Sequence, residues 1–599
     1  MANLSQAKRQ RMLEFLNKLK EAHKDDDSVL IALGEIESEL TAKKYGLVWE
    51  QHEEAVDVMM RDNIPVFTEV PEREITAAPG QGYNFILEGD NLHSLLLLEK
   101  THKGKIDLIY IDPPYNTGSK DFIYDDAIVD KTDLFSHSKW LSFMDKRLRI
   151  AHRLMSDKGV IFISIDDNEE APLKMLCDDI FGSDCFVANI AWQRTYSMRN
   201  DSKGIPAEVE HILVYSKSIG WNPKKLERTA EMDSKYKNPD NDPNGAWRNI
   251  VASAPNAVTH QGMVYAIQNP MTGEYCYPPQ GRCWALGQEQ MLNAMRQWCE
   301  YELIDLHDNE TRARICGVPV EQVRPDVLSI VIKGSLEDAH NRAQEIYKKV
   351  LPEFFFSQKG KGALSRKAYI NNMGGRPVTN FWSYTETGHT DEASRLLKTI
   401  FGGTAVFDTP KPPRLIERVL HIATNDNSII LDFFAGSGTT GHAVLKYNAE
   451  HEESHRQFIL CTNNENNICE EVTYERVRRV IAGYGTTKGI PANVKYYRTD
   501  FVSKDEEYLS DALLEHIAEM VQLEHGVKID GSRYLMILDD DQADEVLAHW
   551  QDYPDVRALY VSRNVLFTTE QNALLADTEI HIIPDYYFNF ELKEVGETW

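Results

Sequence analysis

The sequence predicts an α/β protein with a doubly wound, largely parallel sheet. Apolar runs of strand length recur along residues 83–220, and the first three are each followed by a helical pattern. Strand, helix and strand in this order indicate βαβ units, whose strands are parallel. A further buried strand is predicted at 428–432, and it is followed by a glycine turn and the start of a helix. This pattern is typical of the carboxyl end of a strand in such a sheet.

Length and composition indicate a globular protein of several domains. Of the 599 residues, 42% are hydrophobic and 26% are charged, so two to four domains are expected. No run of about 18 apolar residues and no signal-peptide pattern is found, which predicts a cytoplasmic protein without membrane contact. The eight cysteines contain no C-x-x-C pair, so we expect reduced thiols and neither a metal site nor a disulfide framework.

Residues 1–60 predict an N-terminal helical region, because apolar residues recur at helical spacing in RMLEFLNKLKEAH and SVLIALGEIESELTAKKYGL. A dimerisation arm and a lid are both compatible with this pattern. Residues 61–82 contain scattered prolines and glycines and are predicted to be a linker. The strand at 83–88 ends in a Gly-Asp turn, where Asp90 either caps the next helix or faces a ligand.

The most informative stretch is KIDLIYIDPPYNTGSKDFIY at 105–124. Its apolar part predicts a buried strand that ends at Asp112-Pro113-Pro114-Tyr115, and a glycine-containing loop is predicted at 116–126. Each proline disfavours helix in the residue before it, so Asp112 and Pro113 should be extended. A carboxylate, a carbonyl and an aromatic ring should therefore protrude beyond the carboxyl end of a strand, where open α/β sheets bind ligands.

Such a corner suits an exocyclic amine of a nucleobase. The Asp112 carboxylate and the Pro113 carbonyl offer two acceptors for the amine hydrogens, which would polarise the amine towards an electrophile. Tyr115 offers a ring on which a base extruded from its duplex can stack. We expect neither a strong nucleophile nor a general base of raised pKa there. The alternative is a plain strand-ending turn, since Asp-Pro pairs are common turn formers.

Residues 221–380 lose the strand–helix rhythm and predict an irregular inserted domain between two halves of the α/β domain, at 61–220 and 381–500. Within 341–380, eight basic residues stand against two acidic ones, in a chain of net charge −28. A local basic band is compatible with a DNA groove, and a solvated surface is an equal alternative. The candidate DNA-binding residues of this band are Lys359, Lys361, Arg366, Lys367 and Arg376.

The second informative stretch is SIILDFFAGSGTTGHAVLKY at 428–447. A strand ends at Asp432, and Gly436 and Gly438 open the turn before a helix. Glycines let the backbone approach a ligand closely, and a helix N-terminus offers free N–H groups. The spacing G-x-G-x-x-G is shared by NAD, FAD and S-adenosylmethionine sites. The next strand, 457–462, ends in Asn-Asn-Glu, which counts against a conventional NAD site.

Residues 501–599 predict a small acidic C-terminal α/β module. They hold 22 Asp and Glu residues against 6 Lys and Arg, so more than half of the chain's excess negative charge lies there. A helical pattern at 507–525 precedes three short strand patterns. The acidic balance of the whole chain therefore does not argue against a polyanionic partner for the basic band.

Taken together, IDPPYNTG, LDFFAGSGTTGHAV and FDTPKP resemble the motifs of amino-methyltransferases that modify DNA, in the permuted order of their β class. The wider match, with GDNLHSL, HSKWLSFMDKRL, GVIFISIDDNE, VEHILVYSK and FILCTNNEN, resembles the modification (Mod) subunits of Type III restriction–modification systems. The resemblance implies a Rossmann-like methyltransferase sheet and S-adenosylmethionine as cofactor. It also implies double-stranded DNA as substrate, a homodimer, and a restriction (helicase–nuclease) subunit as a possible partner.

The resemblance also implies roles for individual positions. The catalytic residues that hold a flipped base would be Asp112, Pro113, Pro114 and Tyr115. The S-adenosylmethionine pocket would be formed by Asp90, Lys411, Asp432, Phe434, Ala435, Gly436, Gly438 and Asn464. Asn464 stands where many members have an acidic ribose ligand. Residues 221–380 would be the target recognition domain.

Several alternatives stay open from the sequence. Members with D-P-P-Y mostly methylate adenine N6 and those with S-P-P-Y mostly cytosine N4, so adenine is favoured over cytosine. A solitary DNA methyltransferase without a restriction partner is a second possibility. An NAD-linked oxidoreductase is a third, although DPPY has no evident purpose there. The fourth is a DNA-recognition and assembly subunit whose main task is to guide a separate nuclease.

Overall fold

The computed structural model describes residues 4–24, 26–41, 49, 52–117, 136–196, 204–583, 587–594 and 596. The chain forms two compact units, one of residues 1–224 with 379–599 and one of residues 225–378. Among the described residues, no helix is both long and apolar enough to span a membrane. Of the predicted glycine-containing loop at 116–126, the structure describes residues 116 and 117, and the rest lies outside the described residues.

The first half of the larger unit begins with helices and continues as alternating strands and helices. Its third strand is buried along its whole length, as its largely apolar sequence predicts. The elements are α1 (Leu4–Ala22), α2 (Asp27–Thr41), α3 (Ala55–Asp62), β1 (Asn63–Glu69), β2 (Ile75–Thr76), β3 (Tyr83–Glu88), α4 (Asn91–His102), β4 (Ile106–Ile111), α5 (Ser136–Leu154), β5 (Met155–Ile165), α6 (Glu170–Phe181), β6 (Phe186–Gln193) and β7 (Val209–Ser216).

The smaller unit consists of short strands and helices around a core that includes Trp284 and Trp298. Two of its sheets run in the orders β11-β10-β14-β13 and β15-β16-β8. The elements are α7 (Ala230–Asp233), β8 (Trp247–Val251), β9 (Ser253–Pro255), β10 (Ile267–Gln268), β11 (Tyr275–Cys276), β12 (Arg282–Trp284), α8 (Gln288–Met295), β13 (Tyr301–Ile304), α9 (Asn309–Cys316), β14 (Ser329–Ile332), α10 (Leu336–Ile346), β15 (Phe354–Phe356) and β16 (Leu364–Tyr369).

The second half of the larger unit returns to longer elements. They are β17 (Phe381–Trp382), α11 (Tyr384–Thr387), α12 (Thr390–Ile400), α13 (Pro413–Ala423), β18 (Ile429–Asp432), α14 (Thr439–Glu450), β19 (Gln457–Thr462), α15 (Glu475–Ala482), β20 (Gly483–Tyr484), β21 (Thr487–Lys488), β22 (Asn493–Ser503), α16 (Leu509–Leu514), α17 (Ile517–His525), β23 (Tyr534–Ile537), α18 (Asp540–Ala548), β24 (Ala558–Ser562), α19 (Thr569–Leu574), β25 (Glu579–Ile583) and α20 (Asn589–Glu594).

One sheet organises the larger unit, with the described strands in the order β1-β22-β3-β19-β18-β4-β5-β7-β6-β17 and β2 paired to β22. The strands from β22 to β5 in this order are parallel, whereas β7 is antiparallel to both of its neighbours. The predicted α/β fold with a largely parallel sheet is confirmed. Strands from the two halves interleave at its centre, because β19 and β18 of the second half lie between β3 and β4 of the first half.

Two sequence-based boundaries differ from the structure. Residues 61–82, predicted as a linker, contain β1 and β2, which both pair with β22. Pro65 is compatible with β1 because this strand lies at the edge of the sheet, where a missing N–H costs no ladder bond. The predicted boundary at 500/501 falls within β22, and Leu509 and Ile517 of the following helices pack into the core of the main sheet.

Candidate active site

The carboxyl ends of four neighbouring parallel strands bring together the main predicted positions. The strands are β3, β19, β18 and β4, in that spatial order. Asp90, Asn464, Asp432 and Asp112 lie at or just beyond the ends of these strands. The DPPY segment and the glycine turn are therefore neighbours at one edge of the sheet, although they are far apart in the sequence.

The Asp112 carboxylate lies at the centre of a tight polar cluster. Lys411 Nζ is 2.7 Å from each Asp112 oxygen, and it donates to Tyr115 Oη at 2.8 Å. Tyr115 Oη in turn donates to Asp112 Oδ1 at 2.8 Å. Trp140 Nε1 donates to the Pro114 carbonyl at 2.7 Å and holds the backbone of this corner. Within the described part of the chain, no donor bonds to the Pro113 carbonyl.

Lys411, which the resemblance placed in the cofactor pocket, joins the two motifs. Its side chain is 8% exposed and ends on Asp112, at the DPPY corner. Its carbonyl accepts a hydrogen bond from Thr439 Oγ1 at 3.2 Å, so its backbone borders the glycine turn. Pro410 and Pro412 flank it and favour the extended backbone that lets one residue reach both sites.

The sequence analysis did not identify two charged residues of this cluster, Glu210 on β7 and Arg194 just after β6. Arg194 Nη1 lies 2.7 Å from Glu210 Oε1, and the Glu210 side chain is only 7% exposed. Glu210 Oε2 is 3.4 Å from Lys411 Nζ and accepts from Tyr115 Oη at 3.3 Å. A charged residue inside the otherwise apolar strand VEHILVYS was the available signal, because an ionised side chain is rarely buried unless it is paired.

Burial and charge act in opposite directions on the ionisable groups of the cluster. Burial raises the pKa of the Asp112 carboxyl, although the Lys411 ammonium opposes that shift. Burial also disfavours charge on Glu210, but Lys411 and Arg194 outweigh it and lower the pKa of Glu210. The expectation that no group of raised pKa stands at this corner is therefore wrong, because Asp112 lies in a poorly solvated site.

The turn after β18 allows a close approach to the backbone. Gly436 and Gly438 have φ angles of +47° and +72°. A Cβ at Gly438 would lie 3.1 Å from the Thr473 carbonyl oxygen. A larger residue at this position would therefore strain the turn both by its positive φ angle and by this close contact. Helix α14 begins directly afterwards without a side-chain N-cap, which leaves its first N–H groups without that partner.

Asp432, Phe434 and Ala435, three further predicted pocket residues, support the turn from inside the protein. All three are nearly completely buried. The Asp432 carboxylate accepts from Phe434 N at 3.0 Å and from Thr440 Oγ1 at 2.5 Å, which ties the end of β18 to the start of α14. Their side chains thus hold the backbone of the turn in place.

Asp90 and Asn464, at the two outer positions of the predicted pocket, differ in how far their side-chain oxygens are available to a ligand. Asp90 caps α4 by accepting from Leu92 N at 2.8 Å, yet its side chain remains 39% exposed. The Asn464 side-chain oxygen, Oδ1, accepts from the backbone N–H groups of Cys469 and Glu470, so this oxygen is used in capping the next helical segment. The neighbouring Asn463 Oδ1 is buried and has no partner among the described residues.

Residues 106–280 and 329–474 match a protein family described as DNA methylase. The matched ranges cover more than half of the chain and include both the DPPY segment and the glycine turn. The chain belongs to this DNA methylase family. The arrangement of the site is therefore that of a family member rather than of a chance strand-ending turn.

Relatives of this DNA methylase family member include restriction–modification proteins. It is 30% identical to the StyLTI Mod subunit, a Type III restriction-modification enzyme subunit of Salmonella typhimurium, over 69% of this chain and 59% of that subunit. It is 30% identical to the Type II methyltransferase M.KpnI of Klebsiella pneumoniae over 63% of this chain and 80% of that protein. It is 27% identical to the EcoP15I Mod subunit of Escherichia coli over 79% and 74% of the two chains. The chain thus spans less than two thirds of the StyLTI subunit.

The predicted basic band of this DNA methylase family member needs one correction. Lys367 is 1% exposed, and its ammonium lies between the carboxylates of Asp240 and Asp242, 2.7 and 2.5 Å away. It is a buried structural ion pair and cannot contact DNA, because a phosphate would have to replace both partners. Lys359 and Lys361 are exposed. Two further residues are partly buried: Arg366, which pairs with Glu353 at 2.7 Å, and Arg376, whose Nε donates to the Glu227 carbonyl at 3.3 Å.

Replacing Asp432 with Asn is expected to stabilise this DNA methylase family member at alkaline pH. Burial raises the pKa of Asp432 to about 7, from an ordinary value of 3.8, so ionisation of the folded protein is unfavourable. The stability that the neutral carboxyl confers is present at low pH and is lost as the pH rises from about 4 to about 7. Thermal unfolding should show the advantage of the Asn variant widening by about 2–3 kcal/mol between pH 5 and pH 8. Parallel stability curves for the two proteins would contradict this.

Proposed function

We propose that the chain is a site-specific DNA adenine N6-methyltransferase that uses S-adenosylmethionine. The pairing of β4 with β18 carries this proposal, because it puts the Asp112 corner directly beside the Gly436–Gly438 turn. A methyl donor held at the glycine turn and an amine held at the Asp112 corner would then be neighbours, as methyl transfer between them requires. Membership of the DNA methylase family supports the same chemistry.

The residues beside the glycine turn fit S-adenosylmethionine. Gly436 and Gly438 keep Cβ atoms out of the turn, and the Asn463 oxygen is a buried acceptor without a partner among the described residues. The half-exposed Asp90 carboxylate and the exposed Glu465, next to Asn464, are acceptors for ribose hydroxyls. S-adenosylmethionine supplies there a methyl group on a cationic sulfur, whose bond to carbon breaks with the electron pair passing to sulfur.

The DPPY corner would orient and polarise the target amine. The Asp112 carboxylate and the Pro113 carbonyl accept its two hydrogens, which turns the nitrogen lone pair away from the ring and towards the methyl carbon. The new N–C bond leaves an extra proton on the nitrogen. Burial raises the pKa of Asp112, so its carboxylate is a suitable acceptor for that proton. The Tyr115 ring offers the surface on which the flipped base stacks.

A labelling experiment tests this function. The purified protein is incubated with S-adenosylmethionine tritiated in its methyl group and with unmethylated DNA of mixed sequence, and the DNA is then digested to nucleosides. The expected product is labelled N6-methyl-2′-deoxyadenosine. Label in cytosine alone would refute the choice of adenine, and the absence of label from DNA would refute methyl transfer altogether.

The biological context proposed is that of a modification subunit of a Type III restriction–modification system. The similarity to the StyLTI and EcoP15I Mod subunits of Type III restriction-modification enzymes supports this context. Double-stranded DNA as substrate, a homodimer and a helicase–nuclease partner are part of the proposal. The smaller unit, 225–378, would recognise the target sequence, with exposed Lys359 and Lys361 near phosphates. Light scattering tests the dimer, and co-purification of a large helicase-like chain from the native host tests the partner. A monomer, or purification without any such chain, would favour a solitary methyltransferase.

A further inference from the structure

The buried charge cluster at the DPPY corner contains one more carboxylate than the proposed chemistry uses. Asp112 alone is needed to accept the target amine. Glu210 is as buried as Lys411, at 7% and 8% exposure, and it lies on a different strand from the DPPY segment. A second buried carboxylate within reach of the same ammonium needs a physical reason, since burial of each charge is costly.

The two oxygens of Glu210 have different partners. Oε1 is held by Arg194 Nη1 at 2.7 Å, which fixes the orientation of the carboxylate. Oε2 points to Lys411 Nζ at 3.4 Å and Tyr115 Oη at 3.3 Å. A counter-ion for Arg194 alone would not have to present its second oxygen to Lys411. Charge-assisted contacts are usually about 2.8 Å long, so Lys411 needs to move by less than about 1 Å to bond fully with Glu210.

The contact between Lys411 and Asp112 conflicts with the proposed reaction. Three hydrogen bonds already fill most of the acceptor capacity of Asp112, two from Lys411 and one from Tyr115. Positive charge develops on the target nitrogen as it attacks the methyl group. An ammonium that remained on Asp112 would weaken the carboxylate as an acceptor and would repel that charge.

We propose that Glu210 is a positioning residue that takes the Lys411 ammonium from Asp112 when the target base enters. Without substrate, Lys411 neutralises Asp112, as the structure shows. With the base in place, the target amine bonds to Asp112 while Lys411 bonds to Glu210 Oε2. The lysine stem is flexible enough for so short a shift, and its extended backbone stays anchored at Thr439. This inference rests on the proposed methyl-transfer function.

The variant Glu210→Gln tests it, with Glu417→Gln as the matched control. Glu417 on α13 pairs with Lys446 on α14 at 2.8 Å, so the control also removes one carboxylate of a Glu–Lys pair. The amide oxygen of the substituted side chain can still accept from Arg194, but no carboxylate remains to draw Lys411 away from Asp112. We expect methyl transfer to fall by about 100-fold, with the affinity for S-adenosylmethionine by calorimetry unchanged. The control should retain the wild-type rate.

A binding measurement gives a second result that a purely structural role would not change. Two unmethylated duplexes are prepared that carry the motif the wild-type protein methylates. One has adenine at the target position, and the other has unsubstituted purine, which lacks the exocyclic amine. The dissociation constant of each duplex is measured in the presence of S-adenosylhomocysteine. Glu210→Gln should shift the ratio of the two dissociation constants by at least about fivefold against adenine, because Asp112 stays covered. The control should leave this ratio unchanged.

The double variant Glu210→Gln/Lys411→Met decides the outcome even if the single variant folds poorly. It removes the ammonium together with its second carboxylate, so Asp112 is uncovered again and net charge is conserved. At pH 8.5 the double variant should transfer methyl groups at least about tenfold faster than the Glu210→Gln variant. A Glu210→Gln variant with wild-type rate and binding ratio, or a double variant no faster than the single one, would overturn the inference. A wild-type protein that methylates no DNA would instead refute the proposed function.

Discussion

Replacing Asp112 with Asn is expected to lower methyl transfer by about 1,000-fold or more while leaving S-adenosylmethionine bound normally. The side chain keeps its size, but one acceptor oxygen becomes an N–H donor that faces the target amine. The carboxylate that would accept the released proton is lost as well. Lys411 keeps a carboxylate partner in Glu210, 3.4 Å away, so the fold should survive the change. Single-turnover assays and calorimetry measure the two effects separately.

The variant Asp107→Asn is the matched control for this prediction. Asp107 lies on the same strand, β4, where its carboxylate accepts from Ser156 Oγ and Ile429 N. It lies near the start of this strand, whereas the DPPY corner follows the strand's other end. We expect normal transfer from this variant. Transfer by the Asp112→Asn variant within about tenfold of the wild-type rate would show that Asp112 does not hold the reacting amine.

Replacing Lys411 with Met should have the largest effect on stability, about 3–5 kcal/mol at pH 8. The change removes the cation from between Asp112 and Glu210 and leaves the buried Glu210 carboxylate near the partly buried Asp112 carboxylate. The loss should shrink as the pH falls towards 5. Without the ammonium the pKa of Asp112 rises further, and the pKa of Glu210 loses the lowering effect of Lys411. Protonation of the carboxyls at low pH then removes their repulsion. The melting temperature should drop by about 5 °C or more at pH 8.

A second lysine separates this effect from the general loss of an ion pair. Lys446 pairs with Glu417, and its side chain is 37% exposed, against 8% for Lys411. Lys446→Met should cost less than about 1 kcal/mol at any pH between 5 and 8, because solvent screens this pair more than the Lys411 cluster. Equal losses for the two lysine variants would contradict the assignment of Lys411 to a buried charge cluster.

The strand ends of the site could be predicted because local pattern decides them. Short, mainly apolar runs predicted β3, β4 and β18, and the parallel arrangement of βαβ units placed Asp90, Asp112 and Asp432 at one edge. No local pattern reports which side chain approaches another across the sheet. Glu210 and Arg194 joined the cluster through the pairing of β6 with β7, which the sequence does not display.

Predictions made from charge counts and from turn-forming residues were wrong where the structure depends on residues distant in the sequence. Lys367 belonged to a basic stretch, but its partners Asp240 and Asp242 precede it by more than 120 residues. Pro65 and Pro71 made residues 61–82 look like a linker, whereas β1 pairs with β22 at the far end of the chain. Asn464 occupied a predicted ligand position, yet its side-chain oxygen, Oδ1, caps the following helical segment. For Lys367 and for β1, a partner distant in the sequence overrode the local signal.

Sequencing of modified bases tests the central claim most directly. The wild-type protein and the Asp112→Asn variant are produced in a host without its own DNA methylation, and the plasmid of each culture is sequenced with detection of modified bases. The account predicts N6-methyladenine at one short recurring motif with the wild-type protein, and no modified base with the variant. Unmodified DNA from the wild-type culture, or the same methylated motif in both cultures, would contradict a methyl-transfer site formed by the Asp112 corner and the Gly436 turn.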